Sequence, residues 1–211
     1  MTDGLNTFVA GQTGSGKTEL VKRRIQTCDR LIVWQPKPED VGYPGVYFDC
    51  RIPGERETWL RWWQYVEQRC GRWRMVIRPA NKFDATEYDR FARLVYTIGN
   101  CTVVIEECGS FLKSAMFQAV DRFQAIRDLL TNGRTRGVNA YYVHQRPKGI
   151  PVEVKSECRE AFLFYLQEEP DRQYVQETFG LEARLILDGI TPNTYQHVHW
   201  INTGKVEVGK A

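Results

Sequence analysis

Eight consecutive residues, Gly11-Gln12-Thr13-Gly14-Ser15-Gly16-Lys17-Thr18, fit the pattern G-x-x-x-x-G-K-[ST] without a gap. The pattern constrains the fold as well as the chemistry, because it works only between the end of a strand and the start of a helix. Both neighbours are present. Thr7-Phe8-Val9-Ala10 reads as a strand, and residues 18–27 read as the helix that the loop opens. Glycines let successive backbone N–H groups converge on a chain of phosphates, and the positive end of the following helix strengthens that field. Lys17 is then placed to reach the β- and γ-phosphates, and the Thr18 hydroxyl to ligate Mg²⁺. All eight residues, Gly11, Gln12, Thr13, Gly14, Ser15, Gly16, Lys17 and Thr18, are candidate nucleotide-binding residues.

Short apolar runs alternate with helical patterns along the rest of the chain. Strands are predicted over residues 31–34, 46–48, 75–77, 102–105, 140–143 and 161–165, and helices over 57–68, 84–98, 117–130 and 171–179. Thr102-Val103-Val104-Ile105 is a continuous apolar run, as expected of a central strand covered on both faces. Residues 195–208 alternate around Asn202-Thr203-Gly204-Lys205, the pattern of a terminal β-hairpin. The expected fold is α/β, one domain over residues 1–211, with a mainly parallel sheet, helices on both faces and a C-terminal β-hairpin.

Composition narrows the class. With 42% hydrophobic and 26% charged residues among 211, the chain can bury a core, which excludes a disordered tail, a collagen-like fibre and a strongly cationic packing protein. No apolar run approaches the roughly 18 residues of a membrane span, so no transmembrane segment is expected. Met1-Thr2-Asp3-Gly4-Leu5 lacks the basic start and apolar stretch of a signal peptide. Cys28, Cys50, Cys70, Cys101, Cys108 and Cys158 are scattered without a C-x-x-C pair and read as reduced thiols.

Three further segments carry chemistry. Glu106-Glu107 follows the run 102–105, and carboxylates at that strand end can face phosphates across the crevice. Glu106 reads as the Mg²⁺ partner, directly or through water, and Glu107 as the base that polarises an attacking water. Gln145 follows the strand 140–143 within Val143-His144-Gln145-Arg146-Pro147, where its amide can sense a γ-phosphate or orient water. His144 reads as a structural residue. Asn132-Gly133-Arg134-Thr135-Arg136-Gly137 precedes the same strand and offers Arg134 and Arg136 as candidate stabilisers of a transferring phosphoryl group, a role an arginine can also fill from a neighbouring subunit.

Taken in order, the phosphate loop, apolar strand with acidic pair, Gly-Arg-Thr-Arg-Gly and Val-His-Gln-Arg-Pro resemble the P-loop ATPases of the FtsK–HerA superfamily. The small size, the strand near residue 161 and the terminal hairpin resemble the genome-packaging ATPases of tailless icosahedral double-stranded DNA viruses with an internal membrane. The resemblance implies a RecA/FtsK-like fold in which Lys17 and Thr18 bind ATP and Mg²⁺. It implies that Glu107 activates water, that Gln145 is the sensor, and that Arg134, or secondarily Arg136, is a trans-acting finger. It further implies a hexameric or pentameric homo-oligomeric ring around double-stranded DNA. Such a ring would act at a capsid vertex or beside viral membrane proteins, in the host cytoplasm during assembly and in the virion. A host-type translocase of DNA repair or conjugation and a small-molecule P-loop kinase are the alternatives, and a nucleotide-gated assembly subunit is a third.

The formal net charge of +3 hides opposed blocks. Residues 113–149 hold seven basic side chains against Asp121 and Asp128, whereas residues 153–182 hold eight acids against Lys155, Arg159 and Arg172. Residues 51–74 carry six arginines against Glu55, Glu57 and Glu67. The basic segments are candidates to line a DNA channel or meet an acidic neighbour. Trp59, Trp62 and Trp63 read as core or interface rather than a base-stacking platform.

Overall fold

The computed structural model describes residues 4–37, 42–81, 84–118 and 122–211. The chain runs β1 (Asn6–Ala10), α1 (Lys17–Arg24), β2 (Arg30–Trp34), β3 (Val46–Asp49), α2 (Glu55–Arg69), β4 (Trp73–Arg78), α3 (Ala85–Ile98) and β5 (Thr102–Ile105). It continues through α4 (Ser114–Gln118), α5 (Gln124–Asn132), β6 (Asn139–His144), α6 (Val152–Ser156), β7 (Glu160–Phe164), α7 (Glu169–Phe179) and α8 (Leu181–Asp188). The hairpin β8 (Gln196–Ile201) and β9 (Val206–Lys210) closes it.

One nine-stranded sheet has the order β3-β4-β2-β5-β6-β1-β7-β8-β9. The first seven strands of that order are mutually parallel, and β8 and β9 add antiparallel at the edge. Every residue of β1 and β5 is buried, the polar Asn6, Thr7 and Thr102 at their amino ends included, as expected of central parallel strands. The two faces are covered unequally. Leu20 and Val21 of α1, with Ile25 just after it, pack with Val9, Leu31, Val33 and Val104 on one face. On the other, α2, α3, α5, α7 and α8 cover Phe8, Ile32, Val103 and Tyr142. That larger core is aromatic around Trp34, whose ring lies 4.6 Å from Phe91 between centroids. Trp59 is buried there, with Trp62 and Trp63 packed against it, so the tryptophans are core.

The continuous helix expected over 117–130 is instead two short ones, α4 and α5, and residues 119–121 lie outside the described residues. Phe123 at the start of α5 has φ 57°, a left-handed conformation incompatible with a helix interior. Arg127 ties the pieces together by donating to the carbonyls of Met116 and Arg122. The short helices α6 and α8 escaped the periodicity reading, and α8 is separated from α7 by Gly180 at φ 94°. The six cysteines are free thiols, Cys101, Cys108 and Cys158 buried among them. Among the described residues no helix is long and apolar enough to cross a membrane.

α3 starts on a side-chain cap: the Asp84 carboxylate accepts from the backbone N–H groups of Thr86 at 2.8 Å and Glu87 at 3.3 Å. Replacing a cap of this kind costs about 1 kcal/mol. Asp84→Ala is therefore expected to lower the thermal midpoint by about 2–4 °C, with unchanged far-ultraviolet circular dichroism.

Candidate functional site

Four neighbouring strands, β2, β5, β6 and β1, deliver their carboxyl ends to one edge of the sheet. The loop after β1 is the glycine-rich turn. Gly11, Gly14 and Gly16 have φ of 153°, 79° and 104°, backbone that glycine adopts without strain. A Cβ on Gly11 would also lie 2.5 Å from Phe164 Cβ, so the loop passes too close to β7 for any side chain there. The turn is anchored by Gln12 N–H to the Tyr165 carbonyl at 3.0 Å and by Ser15 N–H to the Gln12 carbonyl at 3.2 Å.

The cradle is built for an anion. Gly16 precedes α1 with no side-chain cap, leaving the helix N-terminus open. The Ser15 hydroxyl is buried without a partner among the described residues. Lys17, only 7% exposed, donates from Nζ to the carbonyls of Gly11 at 2.6 Å and Gln12 at 2.8 Å. Burial drives its pKa down to about 8 against the opposing pull of Glu106 and Glu107. Thr13, Gly14, Gly16, Lys17, Thr18, Glu19, Lys37 and Tyr195 line a cavity of about 220 Å³ over this loop.

The acidic pair sits two strands away, at the end of β5. Glu106 is 1% exposed and accepts from the Tyr43 hydroxyl at 2.5 Å through Oε1, while Lys37 Nζ lies 3.9 Å from Oε2. Burial raises its pKa against the influence of Tyr43 and Lys37. Glu107 behaves oppositely. Burial pushes its carboxyl up, yet His144, Gln145 and Lys37 together outweigh that and hold it down at about 2. The distances are 3.1 Å to His144 Nδ1, 3.0 Å for the donation from Gln145 Nε2, and 2.9 Å to Lys37 Nζ. Glu107 adopts φ 52° as the strand turns into the 3₁₀ segment Cys108–Ser110. A left-handed glutamate is sustained only where the surroundings over-determine it.

Glu106, Glu107 and Gln145 thus converge at the same sheet edge as the loop residues 11–18. Arg134 and Arg136 do not. They lie in the 3₁₀ segment Gly133–Arg136 before β6, at the opposite, amino end of the strands, where Gly4 N–H bonds the Arg134 carbonyl and Asn100 N–H the Arg136 carbonyl. The Arg136 guanidinium donates to the carbonyls of Tyr96 and Thr97, each at 3.3 Å. The Arg134 guanidinium, partly exposed, makes no hydrogen bond or ion pair among the described residues.

The sequence reading missed Lys37 and Tyr43, and took His144 as structural although it stands beside Glu107. Lys37 follows β2 in Gln35-Pro36-Lys37-Pro38, where the prolines signal a strand stop. The usable signal was position: a lysine at the carboxyl end of a strand adjacent to the acidic one. Tyr43 carries no local signal, since its role comes from a hydrogen bond across 63 residues.

No family model matches the sequence, and no curated protein matches it. Solved structures do. The genome-packaging NTPase B204 of Sulfolobus turreted icosahedral virus 2, in complex with AMPPCP, superposes with a TM-score of 0.72 at 15% identity over 99% of this chain and 97% of that one. B204, the DNA-packaging ATPase of Sulfolobus turreted icosahedral virus, gives 0.73 at 13% identity over 100% and 98%. The cytoplasmic domain of the type VII secretion ATPase EccC from Thermomonospora curvata gives 0.54 at 14% identity, over 98% of this chain and 25% of that one. The chain has the P-loop ATPase fold of the viral packaging NTPases along essentially its whole length.

Proposed function

We propose that this chain is a Mg²⁺-dependent ATPase whose hydrolysis drives double-stranded DNA through a homo-oligomeric ring, packaging a viral genome through a capsid vertex. One observation carries the catalytic part. Glu107 is held anionic by Lys37, Gln145 and His144 at the end of β5, on the same edge as an open phosphate cradle. The full-length likeness to viral packaging NTPases supports the biological part.

The loop residues fit a triphosphate. The Ser15 hydroxyl and the backbone N–H groups at the uncapped N-terminus of α1 are donors suited to phosphate oxygens. Lys17 exchanges its two loop carbonyls for the β- and γ-phosphates. Thr18 and Glu106 are the residues that would hold Mg²⁺, and a cation beside Glu106 offsets the burial that raises its pKa. Bound there, the ion would neutralise charge on the β- and γ-phosphates. Glu107 polarises the attacking water and takes its proton. Gln145, bonded to Glu107, couples that carboxylate to the presence of the γ-phosphate. Arg134, with Arg136 the secondary candidate, acts on the site of the neighbouring subunit, which explains the need for a ring.

Lys17→Ala is expected to abolish ATP binding, whereas Glu107→Gln binds ATP normally and turns over about 10²–10⁴-fold more slowly. Equilibrium binding of a fluorescent ATP analogue and phosphate release read the two separately, and wild-type turnover in Glu107→Gln would remove Glu107 from the mechanism. ATP binding is also expected to weaken with rising pH. Bound phosphates keep Lys17 protonated while the free site loses that proton above about 8. Binding therefore takes up a proton, and affinity falls by up to about tenfold per pH unit from there towards 10.5. A flat profile from pH 7 to 10 contradicts this.

Duplex DNA should raise ATP turnover at low salt, and mixing Arg134→Ala with Glu107→Gln subunits should recover part of the activity each lacks alone. Failure of duplex DNA either to bind or to stimulate turnover defeats the translocase reading.

A further inference from the structure

The segments that leave Glu107 and Gln145 also line a second, open cavity of about 290 Å³. Lys113, Lys148 and Lys155 all line it, with Leu112, Pro151 and Tyr174 among its walls, and no carboxylate is among its lining residues. Lys113 lies six residues beyond Glu107, after the 3₁₀ segment Cys108–Ser110, and its Nζ donates to the Gly109 carbonyl at 2.6 Å. Lys148 lies three residues beyond Gln145, in the 3₁₀ segment Pro147–Gly149, and its ammonium has no partner among the described residues. Lys155, on α6, is only 5% exposed. Its Nζ stands 3.3 Å from the Pro147 carbonyl and 3.6 Å from the centre of the Tyr174 ring.

A buried ammonium held by one carbonyl and one ring face retains unused donor capacity, and burial lowers the Lys155 pKa to about 8. Bringing in an anion restores the charge that burial opposes. The nearby acids do not serve this cavity. Glu153 acts on Lys155 electrostatically but is not in the lining. Asp171 is taken up by Arg146 at 2.8 Å and the Lys148 backbone N–H at 3.2 Å.

The two segments are also in close mechanical contact with the carboxylate site. A Cβ on Gly109 would fall 2.5 Å from His144 Nε2 and 3.0 Å from the Gly149 carbonyl, so these parts pack with no slack. His144 in turn stands 3.1 Å from Glu107. Three point-charge ammoniums without an arginine fork suit a phosphodiester met at any sequence, rather than a base edge or a bidentate carboxylate. The apolar walls suit the sugar faces beside it.

We propose that Lys113, Lys148 and Lys155 form the seat for a backbone phosphate of the duplex, on the two segments that carry Glu107 and Gln145. This inference rests on the DNA-translocating reading above and assigns where the duplex is held.

The test is fluorescence-anisotropy binding of a short labelled duplex to the full chain across a salt series. Each phosphate contact contributes about 0.9 to the slope of log affinity against log salt. The exposed pair Lys113→Ala/Lys148→Ala is expected to flatten that slope by about one such increment, the one phosphate of the seat, and to weaken binding at low salt by at least tenfold. Lys155→Met should weaken binding at low salt in the same direction, drawing on that same single increment, where it folds, and the exposed pair decides the matter alone where it does not. As a charge control, Lys205→Ala/Lys210→Ala on the terminal hairpin should keep the wild-type slope. A wild-type slope in the Lys113/Lys148 pair, or an equal loss in the hairpin control, overturns the seat while leaving the translocase reading intact. Binding of inorganic phosphate that the pair abolishes, with the DNA slope unmoved, overturns it in favour of a small-anion site. No duplex binding by the wild-type chain defeats the translocase reading itself, and the seat with it.

Discussion

Everything at the candidate site depends on β6 lying between β1 and β5. Because these strands are parallel, their carboxyl ends emerge on one edge, and neighbouring strands are spaced by about 4.8 Å. The loop after β1, the amide after β6 and the acids after β5 therefore form one row. β2 extends the row beyond β5 and contributes Lys37, which touches both acids and lines the cavity over the loop. Had the order placed β7 between β1 and β5 instead of β6, Gln145 would leave the side of β5 on which it reaches Glu107. β1 and β5 are buried along their whole length, so the chemistry at their ends inherits its geometry from the core.

Two adjacent carboxylates, one residue apart, are pushed in opposite directions. Glu106 is taken out of water with a tyrosine hydroxyl for company, and burial raises its pKa. Glu107 turns out of the strand in a left-handed conformation, and three polar partners lower it. Divergent environments for paired acids are how a site assigns separate tasks to chemically similar groups. Lys37 is the shared element, at 2.9 Å from one and 3.9 Å from the other. Its position also gives Lys17 a cationic neighbour, which is among the causes that depress the lysine of the loop.

Much of this was legible in the sequence, and the reasons separate cleanly. The loop, both acids and Gln145 are tied to strand ends, and strand ends follow from apolar runs bounded by polar residues. β1, β2, β4, β5, β6 and β7 were all marked by such runs, as was the terminal hairpin by its turn. What failed was set by tertiary contact. The break between α4 and α5 depends on a left-handed Phe123 and on Arg127 reaching back to Met116, neither of which alters the helical period. α6 and α8 are too short to show one. Tyr43 and Lys37 act through partners more than 60 residues away in sequence, and a single chain offers no pattern that joins them.

The two arginines show what position adds to motif. In sequence Arg134 and Arg136 look interchangeable, two residues apart in one basic turn just before the sensor strand. In the fold that turn sits at the amino end of β6, a full strand length from the loop after β1, so neither guanidinium serves the phosphate cradle of its own chain. A role in phosphoryl transfer for either one therefore requires a second subunit. Their surroundings then distinguish them. Arg136 is occupied by two carbonyls of α3 and lies over Tyr96, and using it elsewhere means breaking those contacts. Arg134 makes no contact of that kind among the described residues, so of the pair it is the one whose reach across an interface costs least. That asymmetry is a property of the folded turn and not of its composition, and it ties the proposed chemistry to assembly.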